Sequence, residues 1–132
     1  KHDGHTFEPD VPNTDSFRLR KAGANGVAVY SNQRFMVIRE EPPHFRELLE
    51  QFLWADVVLL EGGKDSPFPK IELVRSQVSQ NSVCSTATLL ALCTDLPHLL
   101  PEIPKIGLTE YEKAVDLILS VFNHNSNHCF SQ

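Results

Sequence analysis

Several features by which small proteins declare their class are missing from this sequence. Positive charge is not in excess: 12 Lys and Arg face 17 Asp and Glu, a formal net charge of −5, so the basic footprint of a duplex nucleic-acid binder is absent. No uninterrupted apolar run approaches the ~18 residues of a membrane-spanning helix, and the opening Lys1-His2-Asp3-Gly4-His5 holds no apolar signal-peptide core. Cys84, Cys93 and Cys129 are an odd number without metal-ligand spacing, which fits a reduced, cytoplasmic compartment better than a disulfide scaffold. No G-x-x-x-x-G-K-[ST], G-x-G-x-x-G or G-x-S-x-G occurs, so the chain has no phosphate-cradling loop of its own and no nucleophile elbow.

What is present is ordinary globular material. The 132 residues are 41% hydrophobic and 22% charged, the balance of a folded domain and not of a disordered one. The first residue is Lys and not Met, so a processed start or a preceding segment is expected. Residues 3–13 read as a loop around Gly4, Pro9 and Pro12. Thr14 or Asp15 caps a short helix over residues 15–22, with acid first, base last and Gly23 as its stop. Residues 26–31 and 34–39 read as a β-hairpin. Phe45, Leu48, Leu49, Phe52 and Leu53 then share one helical face, and Trp54 is expected to close it. The apolar run Val57-Val58-Leu59-Leu60 before Glu61-Gly62 reads as a strand buried on both faces. Residues 71–74 read as a further strand, and the apolar 88–93 as strand or helix, with its place before Thr94-Asp95 favouring strand. Thr109-Glu110-Tyr111-Glu112 reads as a capping box that opens a helix ending near residue 122. The expected architecture is a layered α/β fold with a mostly parallel sheet, flanking helices and a β-hairpin. Residues 1–122 form a single domain in this reading, and 123–132 a polar tail.

Four groups of residues carry candidate chemistry. Glu61-Gly62-Gly63-Lys64 ends an apolar strand, where nucleotide-binding α/β proteins place an acid for Mg²⁺; a plain polar turn is the alternative. His2 and His5 are candidate imidazole ligands, too few for a structural zinc site. Asp15 and Ser16 with Arg18, Arg20 and Lys21 offer a hydroxyl and guanidinium groups to an anion, or else form a solvated helix face. Lys64 and Lys70 flank Asp65-Ser66-Pro67-Phe68-Pro69 and offer a cation to a phosphate, with plain surface lysines as the default reading. Cys84 and Cys93 have no nearby His, so a catalytic thiol is not expected.

Taken in order, Lys1-His2-Asp3-Gly4-His5, Asp10-Val11-Pro12, Asp15-Ser16-Phe17-Arg18-Leu19-Arg20-Lys21-Ala22-Gly23-Ala24, Leu59-Leu60-Glu61-Gly62-Gly63-Lys64 and Pro69-Lys70-Ile71-Glu72-Leu73-Val74-Arg75 resemble the molybdopterin-guanine dinucleotide biosynthesis adaptor family, MobB. The resemblance covers about residues 1–75 with specific motifs. It implies a P-loop NTPase-like fold, here lacking its first strand and P-loop, which would precede Lys1. It also implies GTP and Mg²⁺ as ligands, a homodimer, and at most a weak GTPase activity. The implied partners are the molybdenum cofactor guanylyltransferase and molybdopterin or its guanine dinucleotide, with neither nucleic acid nor membrane. On the matching positions it implies nucleotide or phosphate binding by Lys1, His2, Asp3, Ser16, Arg18, Lys64 and Lys70, and metal contacts by Glu61 and Asp15. Gly63 stands where the family commonly has an aromatic residue. No Asn-Lys-x-Asp guanine reader is visible, and Asp95 is the nearest candidate. The alternative expectation is a non-enzymatic dimerisation or interaction module that has lost nucleotide binding.

Overall fold

The structure, a computed structural model, describes residues 1–125, and residues 126–132 of the expected polar tail lie outside them. The chain divides into two compact units, Lys1–Gly62 and Gly63–Gln132. No helix among the described residues is long and apolar enough to cross a membrane.

In the first unit, α1 (Asp15–Lys21) begins where Thr14 Oγ1 accepts the Phe17 N–H. It ends in a left-handed Gly23 at φ +98°, with Gly23 N–H donating to Arg20 O and Ala24 N–H to Leu19 O. This paired closure satisfies carbonyls that the helix itself leaves open, and it needs a residue tolerant of positive φ. The next residues turn directly into the antiparallel hairpin of β1 (Gly26–Tyr30) and β2 (Phe35–Arg39), in register from Gly26↔Arg39 to Tyr30↔Phe35. Strand alternation puts Val27, Val29, Met36 and Ile38 on one face. Ile38 is buried there, and β1 packs against α1. The other face carries Ala28, Tyr30, Phe35 and Val37, with Tyr30 and Phe35 largely exposed.

The third element, α2, spans only Phe45–Glu50, short of the face read through Leu53. Phe52 N–H bonds to Leu49 O and Leu53 N–H to Glu50 O, the i−3 pattern of a tightened final turn. Trp54 therefore does not close a helical face. It stands exposed, with its indole N–H on Gln51 O and its ring 6.4 Å from that of Phe52. The strand expected at Val57–Leu60 is likewise not formed. A strand exists through a ladder, and among the described residues this stretch through Gly62 receives one backbone hydrogen bond, from His2 N–H to Glu61 O at 2.7 Å. Leu59 is exposed accordingly.

The second unit is built on a parallel sheet ordered β3 (Lys70–Val74), β4 (Leu89–Thr94), β5 (Lys105–Ile106). Parallel strands covered on both faces read as continuous apolar runs, and β4 is such a run: Ala91 and Leu92 are both fully buried. Val74, Leu89 and Leu92 form the core, against which Cys84, Leu96, Leu99, Leu100 and Ile103 pack. The two-residue β5 was not legible, because Lys105-Ile106 between Pro104 and Gly107 is too short to show alternation. Finally, α3 runs Tyr111–Asn125, past the expected end at residue 122. At its start the acid that closes on the backbone is Glu110, taking the Gly107 N–H at 2.8 Å, rather than the Glu112 of the expected box. Ala114, Leu117, Ile118 and Val121 form its half-buried stripe, whereas Tyr111 and Val115 are exposed.

Leu92→Ala is expected to lower the stability of the second unit by about 2–5 kcal/mol, whereas Leu59→Ala should stay within about 0.5 kcal/mol. Urea unfolding followed by circular dichroism measures both.

Candidate functional site

The N-terminal residues and the Glu61-Gly62 step come together in the first unit. Besides the His2–Glu61 backbone bond, Lys1 Nζ lies 3.5 Å from Glu61 Oε2, with both side chains mostly in solvent. Gly62 sits at φ +84°, and a Cβ placed there would meet His2 O at 2.8 Å. Both the backbone conformation and the close approach therefore demand glycine. Asp3 Oδ1 accepts the His5 N–H at 3.1 Å, an Asx turn that folds the opening residues back on themselves. Lys1, His2, Asp3 and Glu61 thus line one edge of this unit.

Around α1 the candidate residues are engaged locally. Asp15 and Arg18 form an exposed pair at 3.8 Å. Ser16 Oγ is 3.2 Å from Thr14 Oγ1, and Asp10 Oδ1 accepts the Thr14 hydroxyl and the Val11 N–H. The Ser16 hydroxyl, with these donors, holds the Asp10 carboxyl below its ordinary value. The Arg20 guanidinium, read from the sequence as an anion grip, is instead enclosed. Its side chain is 9% exposed and bonds Glu8 and Glu40, the latter at 2.6 Å. The hydrogen bond from Arg20 holds the Glu8 carboxyl below its usual range, and the two acids raise the guanidinium further. Glu8 and Glu40 were not singled out by sequence reasoning. They lie 12 and 20 residues from Arg20, beyond any local spacing rule. Arg20, Lys21, Gly23, Ala24, Asn25 and Glu40 line an open concavity of about 320 Å³.

The remaining candidates belong to the second unit. Lys64 pairs with Asp65 at 2.8 and 3.0 Å, and that carboxylate raises its pKa. Lys70 Nζ donates to Ser66 O, to Phe68 O at 2.8 Å and to Thr88 Oγ1 at 3.3 Å. An ammonium has three donors, and here each has an oxygen, so Lys70 ties the Pro67-Phe68-Pro69 loop to the start of β4. Asp95 accepts the Ser76 N–H at 2.8 Å and its hydroxyl at 2.6 Å, which lowers its pKa and clamps together the ends of β3 and β4. A residue that sequence reasoning missed is Glu72, buried on β3 and accepting from Ser82 Oγ at 2.5 Å and Val83 N–H at 2.7 Å. Burial, foremost, raises both the Cys84 and Cys93 thiols, away from the reactive thiolate.

No three His, Cys, Asp or Glu side chains gather into a metal cage among the described residues. Glu61 fits a narrower role, since Mg²⁺ is commonly held by one or two carboxylates with water and substrate phosphates completing the shell. Asp15 is not joined to it: Glu61 pairs with Lys1 and Asp15 with Arg18.

Comparison with known proteins bears on this arrangement. A family model described as molybdopterin guanine dinucleotide synthesis protein B, MobB, matches residues 1–95. A Haemophilus influenzae protein described as a molybdopterin-guanine dinucleotide biosynthesis adapter protein is 32% identical over 101 residues, 74% of this chain and 57% of that protein. An Escherichia coli protein of the same description is 30% identical over 128 residues, 90% of this chain and 72% of its own length. A Bacillus subtilis protein described as a probable adapter of this kind is 33% identical over 78 residues, 56% of this chain and 45% of that protein. The matched region thus spans little more than half of the Haemophilus relative and less than half of the Bacillus one.

Arg20→Ala should lower the denaturation midpoint of the first unit, and Arg18→Ala should leave it nearly unchanged. Because Glu8 is depressed in the folded state, its contribution is full above the ordinary value of 4.5 and is lost as pH falls through the folded value. Acid unfolding curves should therefore show a shallower loss of stability in the Arg20→Ala chain than in the parent.

Proposed function

The chain belongs to the molybdopterin guanine dinucleotide synthesis protein B (MobB) family, and from that premise we propose that it serves the assembly of molybdopterin guanine dinucleotide as an accessory, GTP-binding adapter to the guanylyltransferase. The supporting observation is the edge where Lys1 and His2 meet Glu61 and Gly62. It brings an ammonium group and a carboxylate to a glycine turn too close to the neighbouring backbone for any side chain. In this reading Glu61 is the carboxylate that holds Mg²⁺, and Lys1 faces phosphate. Mg²⁺ held there would supply positive charge to offset that of the phosphates. Asp3 orders the turn that follows Lys1 and His2. No phosphate-cradling loop lies within the 132 residues, so these side chains form the metal-and-phosphate edge of a site and not its cradle. Arg18 in the first unit and Lys64 in the second are each an exposed cation able to meet phosphate, whereas Lys70 is engaged by backbone carbonyls and Ser16 Oγ lies against the Thr14 hydroxyl. Any hydrolysis in this reading is slow.

A second reading, an interaction module without nucleotide chemistry, is favoured by the outer face of the hairpin. Tyr30 is 84% exposed and its cross-strand partner Phe35 78% exposed. An antiparallel sheet with one face in water normally alternates apolar with polar residues, and this one does not. A homodimer through this face fits that composition.

Titration of labelled GTP with and without Mg²⁺ separates the two readings. The adapter reading expects Mg²⁺-dependent binding that Glu61→Gln weakens about tenfold or more, the ~1.4 kcal/mol per decade of a lost ionic contact. Absence of GTP binding in the presence of Mg²⁺ would sink it. For the second reading, light scattering should report a dimer that Tyr30→Glu with Phe35→Glu converts to monomer.

A further inference from the structure

We propose that Asn25–Gly26 is a site of spontaneous covalent modification, where the Asn25 amide converts through a cyclic imide to aspartate or isoaspartate. The nucleophile is the Gly26 backbone nitrogen and the electrophile is Asn25 Cγ. Two conditions govern the closure: a following residue without a side chain to obstruct the ring, and a backbone N–H not held by an acceptor.

The structure meets both. Of the seven asparagines, Asn25 alone precedes glycine. In the hairpin, Glu40 N–H donates to Asn25 O at 3.0 Å and Ser31 N–H to Arg34 O at 2.8 Å. Positions 25, 27, 29 and 31 are therefore the hydrogen-bonded pairs, and Gly26↔Arg39 is a non-hydrogen-bonded pair whose N–H turns away from β2. On that side β1 has no strand beside it among the described residues. The Asn25 side chain is exposed and borders the concavity that Arg20 and Glu40 also line. Asn13, Asn32 and Asn81 each fail at least one condition. After Asn13, the Thr14 N–H bonds Val11 O; after Asn32, the Gln33 N–H bonds Ser31 Oγ; after Asn81 comes the side chain of Ser82.

The chemistry balances with water alone. Gly26 N gives its proton to solvent and attacks Asn25 Cγ; the N–Cγ bond forms, Cγ–Nδ2 breaks, and ammonia leaves after taking a proton from water. Water then opens the imide. Cleavage of the N–Cγ bond restores the main chain with an aspartate side chain. Cleavage at the α-carbonyl routes the main chain through Cγ and leaves isoaspartate. In the isoaspartate product the α-carbonyl becomes a free carboxylate. The main chain gains a methylene at this point, which shifts residue 25 against Glu40, its hydrogen-bonded partner at 3.0 Å, and loosens the open end of the hairpin beside the Arg20 pairs. Either product adds a negative charge to a concavity that already holds Glu40.

The test incubates the full 132-residue chain in oxygen-18 water at neutral pH and body temperature, beside a synthetic peptide covering residues 20–31. Peptide mass mapping and isoaspartyl methyltransferase labelling read the product. Oxygen-18 is expected at Asn25 at a rate close to that of the free peptide, and about an order of magnitude faster than at Asn13, Asn32 or Asn81, as the unobstructed glycine allows. Asn25→Gln, which retains the amide and the hairpin, should remove the signal from that peptide. An Asn25 that stays intact in the folded chain while the free peptide converts would overturn the proposal. So would conversion no faster than at Asn13 and Asn32, or labelling that persists in the Asn25→Gln chain.

Discussion

The ladder between β3 and β4 is the interaction on which the second unit depends. Two parallel strands joined over five register positions satisfy their backbone groups only while both stay in place, and β5 extends the same ladder by two residues. Burial follows from that pairing. Leu92 and Ala91 lose all contact with water because strands flank them, and the Leu96–Ile103 segment folds over Val74, Leu89 and Leu92. The contrast with Val57–Leu60 isolates the principle. That run is as apolar as β4, yet without a neighbouring ladder it is no strand and Leu59 stays in water. Hydrophobicity selects which segments benefit from burial, and available backbone partners decide which become strands.

Charged side chains do the work of loop anchoring throughout. Lys70 holds three oxygens around the Pro67–Pro69 loop, and Lys105 holds Leu100 O and Ile103 O beneath the strained Leu100 at φ +47°. Glu72 fastens Ser82 and Val83, and Asp95 fastens Ser76. Arg20 joins the segments of Glu8 and Glu40 in the first unit. Each of these groups would be costly to enclose alone and is stabilising once its donors and acceptors are met. Sequence motifs that suggest a ligand therefore contain residues whose present partners are the protein's own backbone, Lys70 and Asp95 among them. The residues left facing solvent at a defined turn, Lys1 and Glu61 above all, are those on which the nucleotide reading rests.

Local chemistry was the legible part. The Thr14 cap, the acid-to-base polarity of α1, the Gly23 stop and the hairpin are all set by neighbours within a few residues, and all appear where spacing puts them. The strands at 70–74 and 89–94 were readable for the same reason, as apolar runs between turn residues. The ordered motifs across residues 1–75 were specific enough to indicate the family, whose model matches residues 1–95. Three elements were not legible. The shortening of α2 depends on the turn that follows it, β5 depends on a neighbour to pair with, and the cap of α3 on Glu110 rather than Glu112 depends on where Gly107 lies.

By itself the sequence determined the cap and stop of α1, the hairpin, the apolar runs and the family, because each is written in residues close together or in motifs kept in order. Only the tertiary structure decided that Arg20 is enclosed by Glu8 and Glu40, that Lys1 and His2 lie against Glu61 and Gly62, and that Val57–Leu60 is not a strand. These depend on partners distant along the chain. Contacts at such separations follow from how the backbone closes its hydrogen bonds, which no local pattern of residue types encodes.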